Sequence, residues 1–172
     1  MTVATELDLE AIHERLRPVV PEVEWATFVD DIVAIDALKR EHNAVILAHN
    51  YMTPEIFHAV ADIQGDSLAL AREAQSVEAD IIVLAGVHFM AETAKLLNPA
   101  KRVLIPDLRA GCSLAESITA ADVRALRRAH PGVPVVTYVN TSADENAEID
   151  IRGTSANTVH QIQSREVDYA IR

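Results

Sequence analysis

The sequence predicts an α/β protein made of repeated three-layer αβα units with parallel sheets. Three observations lead there. Short apolar runs at 44–48, 81–85, 103–105 and 133–136 are bounded by turn residues, the pattern of strands buried on both faces. Between them lie segments with apolar residues at helical spacing. After Cys112 the pattern starts again: VILAHNY reappears as VVTYVNT, and ADIIVLAG with FMAETAKLL reappears as EIDIRGTSA with NTVHQI. Repeated βα units of this kind imply parallel strands joined by crossover helices.

Composition supports a globular chain. Its 172 residues are 49% hydrophobic and 24% charged, enough for a real core,. Aromatics make up only 4%, so that core is aliphatic. A net charge of -11 argues against nucleic acid or an anionic membrane as partner,. No apolar run approaches the roughly 18 residues of a membrane helix. The acidic N-terminus lacks the basic-then-apolar order of a signal peptide, so a cytoplasmic location is expected. The single cysteine excludes an internal disulfide.

Taken in order, residues 1–23 read as a helical lead-in broken by Pro18 and Pro21. Trp25, Phe28, Ile32, Ile35 and Leu38 then mark an amphipathic helix, with Lys39 and Arg40 suiting its last turn,. The apolar run that follows ends in His49, Asn50 and Tyr51. Pro54 opens a helical stretch expected to reach Gln64. Gly65, Asp66 and Ser67 open the next helix, where Asp66 or Ser67 can cap it, or Ser67 and the helix N–H groups can hold an anion. The strand at 81–85 ends at Gly86, and the helix after it stops at Asn98 and Pro99. The strand at 103–105 leads into DLRAGCS. A short helix is expected over SLAESI. Thr119 and Asp122 have capping-box spacing before another helix,. A strand over 133–140 ends in Tyr138, Val139 and Asn140. TSANTVHQI reads as a loop entering a helix, and Tyr169–Ile171 as the start of a strand. The expected domains are 1–23, 24–112 and 113–172, the last incomplete.

Polar residues gather at the carboxyl ends of these strands, where open α/β sheets bind ligands. His49 is a candidate base, anion ligand or metal ligand, or a structural histidine. Tyr51 and Tyr138 offer phenolic hydroxyls, or pack with one wet edge. Asn50 and Asn140 are turn residues as readily as ligands. Ser67 and Ser155 precede helices and serve as caps or anion donors. Glu92 and Lys95 read as a solvated i,i+3 pair, and His88 is the other histidine near a strand end. Cys112, taken alone, reads as a small buried hydrophobe. Their joint placement at strand ends carries more than any one residue.

The stretches AVILAHNYMTPEI, GDSLALAREA, ADIIVLAGVHFMAETAKLLNP, VLIPDLRAGCS, PVVTYVNTSA and TSANTV, spanning about residues 43–159, closely resemble the quinolinate synthase family. The resemblance implies a transferase of NAD biosynthesis that condenses iminoaspartate with dihydroxyacetone phosphate to quinolinate. It implies three similar αβα domains, of which this chain would carry about one and a half. It also implies a 4Fe-4S cluster held by three cysteines, with the open iron acting as a Lewis acid.

Carried over by motif, Cys112 is the first cluster ligand. His49 binds a substrate carboxylate, and Tyr51 assists proton transfer. Ser67, Tyr138, Val139, Asn140 and Ser155 line the substrate site. Implied partners are the L-aspartate oxidase that supplies iminoaspartate, or a chain carrying the missing half. Two other readings stand beside this one. One is a non-catalytic α/β fragment that binds a small dicarboxylate or a partner chain without a cluster. The other is an unrelated doubly wound domain whose strand ends bind a sugar phosphate. The chain departs from the family pattern over DENAEIDIRG, where Arg152 stands in place of an apolar or small residue.

Overall fold

The computed structural model describes residues 7–154 and 157–163. Two compact units divide the chain between Ala110 and Gly111.

The first unit runs α1 (Leu9–Leu16), α2 (Glu22–Glu41), β1 (Ala44–His49), a π-helical segment (Glu55–Val60), β2 (Ile63–Gly65), α3 (Ser67–Ser76), β3 (Ile81–Ala85), α4 (His88–Leu97) and β4 (Arg102–Leu104). Its sheet is parallel throughout, in the order β2-β1-β3-β4. The apolar run of β1 is buried because it is the inner strand, paired on both sides. Alternation splits its side chains between two layers. Ile46 and Ala48 join Ala85 on one face, in a cluster with Ile12, Leu16, Val20, Ile32 and Val60. Residues 9–20, expected as a lead-in, therefore pack into this core. Leu47, Ile82 and Leu84 point to the other face, where α3 and α4 pack on each other and against β1 and β4,. Burying a leucine such as Leu47 contributes about 2–3 kcal/mol.

The helix expected to run to Gln64 stops at Val60, and a short edge strand, β2, follows. Asp62 sets that boundary. One carboxylate oxygen accepts the Ile46 N–H at 2.8 Å, and the other pairs with Lys39 of α2 at 2.6 Å. Lys39 also donates to the Val60 carbonyl at 3.0 Å. A buried backbone amide must find an acceptor, and here a side chain supplies it where the ladder has not yet begun. Glu92 and Lys95 do not form the expected pair. Lys95 donates to the carbonyls of Pro99 and Lys101 at 2.9 and 2.7 Å, and Glu92 lies 3.8 Å from His88.

The second unit contains α5 (Ala120–Ala129), β5 (Val136–Tyr138), α6 (Ala143–Asn146), β6 (Ile151–Gly153) and α7 (Thr158–Gln163). SLAESI forms isolated turns rather than a helix, closed by Glu116 N–H to the Cys112 carbonyl at 2.9 Å. A segment so short does not offset helix nucleation without packing, and Leu114 is exposed. The Thr119–Asp122 capping box is complete.

Strands β5 and β6 are parallel, with Val136 opposite Ile151 and Tyr138 opposite Gly153. The strand expected from 133 begins only at Val136, because the Val135 N–H donates to the Asp150 carboxylate at 2.8 Å. Asp150 in turn pairs with Arg127 of α5 at 2.7 Å. This is the Lys39–Asp62–Ile46 arrangement over again. The strand partner of VVTYVN is thus IRG, and it corresponds to the IQG of β2. The expected match between EIDIRGTSA and ADIIVLAG is corrected accordingly. The stretch at 169–171 and Ser155 lie outside the described residues.

Candidate functional site

Two groups of polar side chains sit at strand ends, one in each unit. In the first, the strand order places the crossover switch between β1 and β3: the segment after β1 turns toward one face, and α4 after β3 covers the other. Side chains at such a switch point face an open crevice at the strands' carboxyl ends. His49 closes β1 there. Its neighbours are Gly65 across β2 and Gly86 just beyond β3. A Cβ on Gly86 would stand 3.1 Å from Met90 Sδ and 3.8 Å from His49 Cβ, so a small residue here keeps α4 and the imidazole close.

His49 is half-buried. Burial lowers its pKa below 6.5, and the charge of Asp66 partly opposes that shift. The ring is therefore neutral at neutral pH. The Tyr51 N–H lies 3.3 Å from Nδ1, which makes Nδ1 the acceptor and assigns the ring proton to Nε2. Nε2–H is then a donor for an oxygen in the crevice. A turn closed by Met52 N–H to the His49 carbonyl at 2.9 Å carries Asn50 and Tyr51. It brings the Tyr51 ring against the imidazole, centroids 4.0 Å apart and the planes tilted by 43°.

Ser67 begins α3, but Asp66 is its cap, accepting the Ala69 N–H at 2.8 Å. A carboxylate thus already faces this helix start. The Ser67 hydroxyl takes no part in the cap. Sequence reasoning weighed Asp66 only as a cap; its field on His49 follows from its place beside Gly65, across the ladder from the imidazole.

In the second unit, β5 ends in Tyr138, about half exposed at 48%. The Val139 N–H continues the ladder to the Gly153 carbonyl at 2.8 Å. The chain then reverses: Thr141 N–H returns to the Val139 carbonyl at 2.9 Å, a γ-turn centred on Asn140. That turn directs the Asn140 amide at Cys112, with Nδ2 3.7 Å from Sγ. Two residues chosen separately from the sequence, Asn140 and Cys112, are thereby neighbours. Arg152, noted only as a departure, donates from Nη2 to the Val139 carbonyl at 2.9 Å. A cation inside a strand of otherwise small or apolar residues was the sequence signal for it.

The donor set does not fit a four-iron cluster within this chain. The sequence has one cysteine where three thiolates are implied. Among the described residues no three His, Cys, Asp or Glu side chains converge. Among them, too, no helix is long and apolar enough to cross a membrane.

Comparison with known proteins bears on the same residues. The family model described as Quinolinate synthetase A protein matches residues 33–171. Quinolinate synthase 2 of Mesorhizobium japonicum is 67% identical over 160 residues, covering 93% of this chain and 49% of its own length. Quinolinate synthase 1 of the same organism is 69% identical over 154 residues, 90% of this chain and 48% of its own. Quinolinate synthase of Agrobacterium fabrum is 64% identical over 163 residues, 95% and 47%. The chain spans about half the length of these curated relatives.

Proposed function

The chain belongs to the quinolinate synthetase A protein family, and on that footing we propose that it supplies the substrate-holding strand ends of a quinolinate synthase. The reaction joins iminoaspartate to dihydroxyacetone phosphate and releases phosphate and two waters. Both substrates are anions with carbonyl or imine carbons, so the site must hold carboxylate and phosphate oxygens and move protons.

The observation that carries the reading is His49 at the β1–β3 switch point, neutral and with its proton assigned to Nε2. Such a group donates to a substrate carboxylate without adding a positive charge. In this reading the Tyr51 phenol, its ring tilted against that imidazole, moves the proton during condensation or ring closure,. Ser67 binds a substrate oxygen at the start of α3, and Tyr138, Val139 and Asn140 hold the carboxylates at the end of β5. Ser155 is proposed for the phosphate or carboxylate position on its motif alone. An L-aspartate oxidase that delivers iminoaspartate, and a polypeptide carrying the rest of the family's length, are the partners this reading needs.

The test is an anaerobic assay of quinolinate formation by this chain combined with the remaining half of a Mesorhizobium relative. Turnover is expected, with kcat/KM falling at least about 100-fold in His49→Ala. Full turnover by that variant overturns the reading. The single thiol favours one other reading, a fragment that binds a dicarboxylate or a partner chain without a cluster. Iron and sulfide near zero after anaerobic reconstitution of the chain alone, with quinolinate still bound, would support it.

A further inference from the structure

The Val139 carbonyl accepts two short hydrogen bonds and a long one, from the Thr141 hydroxyl at 3.5 Å. One short bond comes from Thr141 N–H at 2.9 Å and makes the γ-turn. The other comes from Arg152 Nη2 at 2.9 Å. A carbonyl has two lone pairs, and the two short bonds engage both, so the peptide plane is fixed. The second bond is charge-assisted and comes from a rigid planar fork. Arg152 carries out this role at a cost: its side chain is half-buried, and burial lowers its pKa from the ordinary value. An arginine with no positional duty would sit in solvent.

The internal repeat supplies a control. By strand register, Arg152 of β6 stands where Gln64 stands in β2, each next to the glycine that ends its strand. Gln64 donates to the carbonyls of Phe57 and Ala61, in and beside the π-helical segment. The same place in the fold thus uses a neutral amide to fix a connecting segment in one unit. In the other it uses a cation to fix the strand-end turn.

We propose that Arg152 is a positioning residue: it holds the Val139 peptide so that the turn presents the Asn140 amide to the Cys112 sulfur. Its weight for catalysis rests on the reading of Tyr138, Val139 and Asn140 as a substrate-holding turn; the positioning itself does not.

Cys112 is the only thiol, so its alkylation by iodoacetamide reports on one sulfur. The limiting rate at high pH, where ionisation no longer enters, reads nucleophilicity and access alone. Asn140→Ala frees a sulfur lone pair and should raise that rate by about threefold. Arg152→Gln should raise it by a similar factor. The double variant should match either single one rather than their product, because both act through one bond. Arg152→Lys, which keeps a cationic donor on a long stem, should return the rate toward that of the unaltered chain. An unchanged rate in Arg152→Gln, or multiplying effects in the double variant, overturns the proposal.

If Arg152→Gln does not fold, proton exchange in the unaltered chain decides. The Arg152 guanidinium protons should exchange at least about tenfold more slowly than those of exposed Arg128, and equal exchange overturns the proposal. Quinolinate titrated into the same proteins separates the two claims. Coupled alkylation with no quinolinate bound upholds the positioning and defeats the substrate reading. Quinolinate binding with uncoupled alkylation does the reverse.

Discussion

The β1–β2 pair of the first unit and the β5–β6 pair of the second are wired alike and end differently. In each, a cation on the preceding helix (Lys39 or Arg127) grips an aspartate (Asp62 or Asp150). In each, that aspartate accepts the amide of the residue just before the parallel ladder (Ile46 or Val135). Each ladder closes on a glycine, Gly65 opposite His49 and Gly153 opposite Tyr138. The lower part of each pair is scaffold and repeats; the residues past the last rung differ. The first unit places an imidazole and a phenol tilted against it there. The second places a phenol, a γ-turn and an amide aimed at a thiol. Chemistry has been varied where the backbone leaves the sheet, with the pairing beneath it unchanged.

The shared wiring can be broken one unit at a time. Asp62→Ala removes an acceptor from Ile46 and strands Lys39, whose side chain is only 11% exposed. It should destabilise the first unit by about 2–3 kcal/mol, read as faster exchange of the Ile46 amide with Val135 unaffected. Asp150→Ala should cost less, about 1 kcal/mol, because Arg127 and Asp150 are 37% and 41% exposed. An equal loss from the two would show that exposure does not set the difference.

The strand-end difference should appear against pH. Folding lowers the pKa of His49, so the unfolded chain binds this proton more readily than the folded one. The stability tied to His49 is complete above about pH 6.5 and declines as pH falls toward the lowered midpoint. A ring-proton NMR titration of His49 checks the direction, and His49→Gln should remove that share of the slope. A His49 midpoint above 6.5 contradicts the assignment. The second unit has no imidazole at the equivalent place.

The smallest effect sharpens the comparison within the sheet. Thr137 is the register equivalent of Ala48, yet its buried hydroxyl has no hydrogen-bond partner among the described residues. Thr137→Val should be neutral or stabilise by up to about 1 kcal/mol, measured by chemical denaturation. A clear loss would mean that the hydroxyl is used.

How much of this the sequence discloses depends on length and pattern. Strands β1 and β3 are legible because four or five consecutive apolar residues bounded by turn residues admit little else in an α/β chain. The capping box is legible because its chemistry is local. β2 and β6 are not: IQG and IRG have no apolar run, and an aspartate outside the strand decides where they start. For the same reason the repeat is visible in the sequence, but the partner strand of its second half is not. At the site, His49, Tyr51, Ser67, Tyr138 and Asn140 stand out as types at strand or helix ends, whereas Cys112 and Val139 enter only through the family resemblance. That Asn140 points at Cys112, and that Arg152 holds the turn between them, depends on contacts 28 and 13 residues apart, which no local pattern encodes.

The aspartate grip also bears on the order in which the chain folds. Ile46 and Asp62 are 16 residues apart, and Val135 and Asp150 are 15 apart. Closing loops of this size is fast, and the entropy lost grows only with the logarithm of length. Each grip ties a helix to the start of one parallel ladder and needs no residue beyond its own aspartate. During synthesis from the N-terminus, the first is complete once Asp62 has emerged, before β3 and β4 exist to extend the sheet. A repeated unit that seals itself within so short a contour is one that can be duplicated, lengthened or cut at its joins while each copy still finds its own register.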